Sequence, residues 1–200
     1  MEKNRLEAFS DGVIAVLITI MVLELKVPHG AGLVALAPLW PVFLSYVLSF
    51  VYIGIYWNNH HHMLQLSHTI NGAILWANLH LLFWLSLVPF TTGWMGENHF
   101  EQSTTILYGV NLLLCAVAYI ILQTCLIRHQ GRESPLAKAV EGDVKGKASM
   151  LMYVLGILAA WLVSPWVGLG FFVVVALAWL VPDPRIERRV GHEPAGKIRD

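Results

Sequence analysis

The chain has 200 residues, of which 56% are hydrophobic and 13% charged, and its 13 basic and 13 acidic residues cancel. A soluble globular domain carries about 25% charged residues, so this composition excludes that class and indicates an integral membrane protein. Eight tryptophans and six tyrosines suit the aromatic belts of such proteins. No phosphate-binding loop, dinucleotide fingerprint, zinc-protease or serine-hydrolase motif occurs, and nothing indicates a nucleic-acid partner.

A membrane-spanning helix needs about 20 mainly apolar residues. In chain order the sequence predicts six such helices, over residues 6–25, 38–57, 70–92, 104–127, 147–164 and 166–182. The last two share an apolar run, which as a single helix would be about 48 Å long and too long for one crossing. The dipeptide Ser164-Pro165 near its middle predicts a break, because proline removes a helix donor and disfavours helix at the preceding residue.

The placement of charge supports six spans and sets the orientation. With six spans, one side of the membrane holds twelve basic residues and the other side only Lys26. This bias predicts that both termini and the 128–147 loop are cytoplasmic, in the inner membrane of a cell. We therefore predict an all-α membrane domain of six helices over residues 1–182 and a basic cytoplasmic tail over residues 183–200. The twelve are Lys3, Arg5, Arg128, Arg132, Lys138, Lys145, Lys147, Arg185, Arg188, Arg189, Lys197 and Arg199.

The first span carries the most polar side chains, and an ionisable group inside a bilayer is a functional candidate. Asp11 lies well inside this span and needs a partner. At 100° per residue one helix face, here called the first-helix stripe, combines Arg5, Phe9, Gly12, Val16, Ile20 and Leu23. Asp11 lies about 140° from Val16. If the stripe lines a pathway, Ser10 and Asp11 therefore face the protein's own helices.

The third span offers partners for Asp11, namely Asn71, Asn78, His80 and Trp84. A contact of Asp11 with His80 or with Asn78 is compatible with their depth in the membrane. Such a network can simply hold helices together, or it can take a direct part in ion or proton movement.

Three adjacent histidines, His60, His61 and His62, are predicted on the cytoplasmic side between the second and third spans. On a helix they would point about 100° apart, whereas zinc sites favour spacings such as H-x3-H. Packing at the membrane interface, a response to pH and metal binding all stay open for this cluster.

The segment from Arg5 to Asp11 reads RLEAFSD and matches the motif RxxxFSD at the head of a first span. It resembles the endolysosomal potassium channel family, also called the transmembrane protein 175 family. The segments YWNNHH at 56–61 and NLH…SLVPF at 78–90 are similar to that family's second and third spans. The resemblance covers nearly the whole chain and is strongest over residues 5–28 and 56–90.

The resemblance implies a single six-helix unit of the prokaryotic type, assembled as a homotetramer with the first helix of each subunit lining the pore. It implies a hydrophobic constriction at Val16, Ile20 and Leu23, with Thr19 beside them and with Val16 smaller than the side chain usual at the first ring. Arg5, Phe9, Ser10 and Asp11 would then be the structural motif. The permeant ions would be monovalent cations, chiefly potassium, and no cofactor is implied.

Three other functions compete with the channel. A proton-coupled secondary transporter would use Asp11 and His80 as a relay, although the paired repeats with broken helices that such transporters favour are not apparent. A membrane-embedded enzyme would need converging catalytic groups, and a non-conducting helical scaffold would need none.

Overall fold

The computed structural model describes residues 3–67, 69–140 and 144–180, and within these ranges the chain is all-helical. The predicted tail over residues 183–200 lies outside the described residues. A 3₁₀ helix over Leu33–Leu39 leads into the second long helix. The α-helices are α1 Lys3–Leu23, α2 Trp40–Gln65, α3 Gly72–Ser86, α4 Val88–Glu97, α5 Gln102–Gln130, α6 Pro135–Ala139, α7 Val144–Leu162 and α8 Pro165–Leu180.

Within the described residues, five helical segments are by length and composition able to cross a membrane, and α3 and α4 count together as one of them. The apolar helix α8 is shorter, with 16 residues. The break predicted at Ser164-Pro165 is confirmed, since α7 ends at Leu162 and α8 begins at Pro165. The two helices pack closely: a Cβ placed on Gly168 would lie 2.6 Å from the Gly156 carbonyl oxygen and 2.6 Å from the Ala160 Cβ.

Two predicted boundaries are wrong. The second span does not end at residue 57, because α2 continues to Gln65 and carries the three histidines on its last turns. The third span is not one helix over 70–92, because α3 ends at Ser86 and α4 begins at Val88. Pro89 explains this interruption, since it has no N–H with which to continue the helical hydrogen bonds.

Asn111 of α5 supports the interruption from outside. In the amide orientation that satisfies its neighbours, its nitrogen donates to the Trp84 carbonyl oxygen at 3.1 Å and its oxygen accepts from the Val88 N–H at 3.3 Å. A continuous helix would join these two backbone groups directly, because their spacing is four residues. The buried Asn111 side chain replaces that bond.

Contacts between helices define the two ends of the bundle. At one end, here called the basic end, α1 begins, α2 and α5 finish, and α7 begins. There, Glu7 of α1 lies 2.9 Å from His61 of α2, and the Thr69 hydroxyl lies 3.0 Å from His129 of α5. Of the basic residues in the described ranges, seven belong to this end and only Lys26 to the other. The seven are Lys3, Arg5, Arg128, Arg132, Lys138, Lys145 and Lys147.

The opposite end is closed by aromatic packing and by one side-chain cap. Phe100 packs against Trp40 of α2 and Trp166 of α8, with ring centroids 5.9 and 4.9 Å away. Gln102, at the start of α5, donates its amide to the carbonyl oxygens of Ala160 and Trp161 at 3.2 and 2.6 Å. These carbonyls end α7 and would otherwise lack helical partners.

Candidate pore surface and its polar support

One face of α1 is packed against the chain and the other is bare. Leu6, Ser10, Ile14, Leu17 and Met21 are buried and recur every three or four residues. On the bare face, the exposed fractions are 55% for Val16, 40% for Ile20 and 75% for Leu23. The Phe9 ring is also exposed, and a Cβ added to Gly12 would meet no atom within 4 Å. The first-helix stripe is therefore left uncovered by its own chain.

Thr19 and Arg5 belong to the same solvent- or lipid-accessible side. The Thr19 hydroxyl donates to the Ala15 carbonyl oxygen at 3.0 Å, so its one proton is used within its own helix. This bond leaves the hydroxyl oxygen able to accept or to approach a cation. Arg5 is exposed in the first turn of α1, at the basic end.

The buried face of α1 is tied to α2 and α3 by one chain of hydrogen bonds. The Asn78 amide nitrogen donates to the Ser10 hydroxyl at 2.9 Å, and the Ser10 hydroxyl donates to the Leu6 carbonyl oxygen at 2.9 Å. The Asn78 carbonyl oxygen lies 2.8 Å from His60 Nε2, which therefore carries the proton. Ser10, His60 and Asn78 are all buried, so this chain fixes the rotation of α1 relative to two neighbours.

Asp11 is paired with a residue of α2, not with one of the candidates on the third span. Its carboxylate accepts a hydrogen bond from Trp57 Nε1 of α2 at 3.0 Å. A contact of Asp11 with His80 or Asn78, which their depth in the membrane allows, is not formed. His80 is exposed and accepts from Trp84 Nε1 on its own helix at 2.9 Å. The reason is rotational: α3 turns Asn78 toward Ser10, and a residue two positions along a helix points about 200° away.

The three histidines have different surroundings, as their helical spacing predicts. His60 bonds Asn78, while His61 Nδ1 lies 2.9 Å from a Glu7 carboxylate oxygen and its Nε2 lies 2.8 Å from the Gln65 amide nitrogen. His62 Nδ1 is buried without a hydrogen-bond partner in the described part of the chain. Within residues 3–67, 69–140 and 144–180 no three His, Cys, Asp or Glu side chains are grouped to hold a metal ion.

A second polar cluster connects α2, α4 and α5, and the sequence analysis missed it. The Thr92 hydroxyl donates to the Ser49 hydroxyl at 2.6 Å, and Ser49 lies 2.9 Å from the Tyr108 hydroxyl. All three residues are buried. The signal is the pair Thr91-Thr92, which follows Pro89-Phe90 within an apolar segment. Hydroxyls there need partners from other helices.

An open cleft of about 370 Å³ lies between the outer half of α1 and α4. Its walls include Ile20 and Glu24 from α1 and Pro89, Phe90 and Trp94 from α4. Beyond it, the Lys26 ammonium pairs with the Glu97 carboxylate at the end of α4, and this pairing raises the pKa of Lys26. The half of α1 that carries Ile20 and Leu23 is thus packed loosely, while its basic half is held by buried hydrogen bonds.

Comparison with known proteins points to one family. The family model described as "Endosomal/lysosomal potassium channel TMEM175" matches residues 5–89, which contain α1, α2 and α3. A potassium channel of Chryseobacterium sp. (strain P1-3) is 53% identical over 94% of this chain and 97% of its own length. A potassium channel of Streptomyces collinus is 33% identical over 90% of this chain and 84% of its own.

The fold agrees with these similarities. The crystal structure of a lysosomal potassium-selective channel TMEM175 homolog from Chamaesiphon minutus matches with a TM-score of 0.76 and 29% identity. The match covers 89% of this chain and 96% of that one. A multi-pass helical membrane protein with this sequence similarity along nearly its whole length is a prokaryotic member of the TMEM175 family.

Proposed function

We propose that this protein is a potassium-permeable channel of the inner membrane, formed by a homotetramer whose pore is lined by the first-helix stripe. One observation carries the proposal: α1 is packed by hydrogen bonds and buried side chains on one face and is bare and apolar on the other. The bacterial relatives named above are potassium channels, and none is an enzyme. The proposed topology has six spans, with α8 as the sixth and both termini cytoplasmic.

The need for several subunits follows from geometry. One chain supplies one first helix, and one bare helix face cannot enclose a pathway. Four copies around an axis would bring four stripes together and remove their apolar surface from lipid and water. The buried chain of Ser10, Asn78 and His60, together with the Asp11–Trp57 bond, would then aim each stripe at the axis.

The proposed gate is a dry hydrophobic constriction. Val16, Ile20 and Leu23 would form successive rings about 6 and 4.5 Å apart along the axis. When the rings are narrow they exclude water and ions, and when they widen they wet and conduct. Potassium would lose part of its hydration there, and the Thr19 hydroxyl oxygen, beside the Ile20 ring, is the nearest protein oxygen on this face that could replace it.

The competing transporter is not favoured by the observed contacts. A relay through Asp11 and His80 requires the two side chains to exchange a proton directly or through water. Asp11 is bonded to Trp57, whereas His80 is exposed and bonded to Trp84. Neither bond leads from one of the two residues to the other.

Substitution of the constriction tests the proposal. Ile20→Asn or Leu23→Asn should let water into the closed rings, raise basal current and weaken the preference for potassium over sodium in planar-bilayer recordings of purified protein. Leu17→Asn is the matched control, because Leu17 is only 4% exposed and belongs to the packed face of α1. That control should reduce folding yield and should not produce a leaky channel. Wild-type conductance and selectivity in both Ile20→Asn and Leu23→Asn would refute the stripe as pore lining.

A further inference from the structure

The open cleft between α1 and α4, here called the α1–α4 cleft, has a volume of about 370 Å³. This volume falls within the range of about 300–1,000 Å³ that small-molecule sites occupy. Ile20 is shared by the wall of the cleft and the first-helix stripe, so the cleft lies on the flank of α1, between its packed face and its bare face. The proposed pore therefore does not account for this space.

Both helices present the same order of side chains to the cleft. On α1, Ile20 and Glu24 lie four residues apart, share a face and are separated by about 6 Å along the axis. On α4, Phe90, Trp94 and Glu97 follow at spacings of four and three residues, again on one face. Both helices run toward the end of the bundle opposite the basic end. The cleft is therefore apolar and aromatic in its depth and acidic at its mouth.

The mouth carries an excess of one negative charge. The two carboxylates of Glu24 and Glu97 share the single ammonium of Lys26. The ion pair with Glu97 raises the pKa of Lys26, and the nearby Glu24 carboxylate raises it further. Lys26 is also the only basic residue of the described ranges at this end of the bundle. Both carboxylates are exposed, so a ligand that enters from outside meets a charge that attracts cations and repels anions.

The deeper part of the cleft offers aromatic surface to the same ligand. The side chains of Phe90 and Trp94 are 63% and 39% exposed, and their rings lie nearly parallel with centroids 6.3 Å apart. Aromatic faces attract organic cations such as quaternary ammonium groups, and tryptophan does so best. A bare metal ion would gain nothing from the apolar wall, and a neutral apolar molecule would gain nothing from the charge at the mouth. A ligand that combines both properties fits the whole cleft.

We propose that the α1–α4 cleft binds a monovalent organic cation with an apolar body, a chemical class represented by benzyltrimethylammonium. The cationic nitrogen lies at the mouth, beside Glu24 and Trp94, and the apolar body lies along Phe90 and Pro89. A mostly apolar lining with a few polar groups that fix orientation is typical of small-molecule sites. The site is built by one chain and does not require conduction, so it goes beyond the proposed channel function.

The test is equilibrium binding of radiolabelled benzyltrimethylammonium to the full-length protein in nanodiscs of zwitterionic lipid. The expected result is saturable binding that excess unlabelled compound displaces. Neopentylbenzene has the same shape, with carbon in place of the charged nitrogen. At equal free concentration in water it should compete roughly 3- to 30-fold less well, the combined effect of one ion pair partly open to water and one cation–π contact.

A first variant tests the position of the ligand by filling the cleft. Gly93 lines the cleft, and a Cβ added to it would meet no atom within 4 Å, so a larger side chain there enters the cleft without displacing its wall. Gly93→Phe should weaken binding at least about tenfold, because it occupies the space in which the apolar body is buried. Gly170→Phe is the matched control, since an added Cβ there also meets no atom within 4 Å but Gly170 belongs to α8. This control should bind like wild type.

A second variant tests the charge without changing the shape of the cleft. Glu24→Gln should weaken binding roughly 2- to 5-fold, the effect of an ion pair partly open to water. Glu101→Gln is the matched control, because Glu101 is exposed at the same end of the bundle but does not line the cleft. Binding that does not saturate, that neopentylbenzene displaces equally well, or that survives both Gly93→Phe and Glu24→Gln would overturn the proposal and leave a lipid chain as the occupant. Because the readout is binding, its failure is separate from failure of the channel proposal.

Discussion

Replacing Asn78 with leucine is expected to loosen the attachment of α1 more than any other single change on α3. Asn78 is fully buried and bonds Ser10 on one side and His60 on the other. Side-chain hydrogen bonds between membrane helices contribute about 0.6–1.7 kcal/mol each. Loss of two such bonds should therefore cost about 1–3 kcal/mol. At 1.4 kcal/mol per factor of ten, the folding equilibrium should fall roughly 5- to 150-fold.

Reversible unfolding of the purified protein in mixed micelles of mild detergent and sodium dodecyl sulfate measures this change in free energy. Thr124→Val is the matched control, because the Thr124 hydroxyl bonds only the Ile120 carbonyl oxygen of its own helix, at 2.7 Å. A double-mutant cycle of Ser10→Ala and Asn78→Ala should give a coupling energy of about 0.6–1.7 kcal/mol. Wild-type stability in Asn78→Leu, or no coupling in the cycle, would show that this chain does not hold α1.

Three further changes have defined expected outcomes. Asp11→Ala removes the acceptor for Trp57 and should lower the yield of assembled protein in size-exclusion chromatography. Asp11→Asn keeps an acceptor oxygen and should restore most of that yield. An assembled Asp11→Ala channel with sharply altered ion preference would instead place Asp11 in the pore. Asn111→Leu removes the partner of the Val88 N–H and should lower stability by about 1–3 kcal/mol in thermal unfolding, while unchanged stability would mean that Pro89 alone shapes the interruption. Gly168→Val would force a side chain into backbone at the α7–α8 contact, so it should cost about 1–3 kcal/mol or prevent expression, and a normally stable variant would contradict that packing.

The sequence predicts the course of this chain well because hydropathy and charge report directly on crossing a membrane. The break before Pro165 is confirmed because it interrupts an apolar run that is too long for one span. The interruption before Pro89 was missed because the surrounding segment has an ordinary length for a single crossing. An apolar run too long for one crossing therefore predicts a break, whereas a proline within a run of ordinary length does not.

The rotation of each helix is what the sequence leaves open. In α1 nearly every residue is apolar, so periodicity links Asp11 to one face and Val16 to another without saying which face is inside. The motif resemblance suggests the bare face, but the partner of Asp11 depends on how α2 is turned. Trp57 bonds Asp11 because α2 places its indole opposite α1, and the sequence alone does not indicate that rotation.

The cap that Gln102 places on the end of α7 bears on how this protein is made. The ribosome synthesises α5 before the α7–α8 hairpin, so the Gln102 side chain is present before the hairpin enters the membrane. The carbonyl oxygens of Ala160 and Trp161 are therefore satisfied only after the hairpin docks beside α5. Biogenesis of this chain thus has a built-in order, in which the last hairpin finishes its own helix by using a residue synthesised about 60 positions earlier.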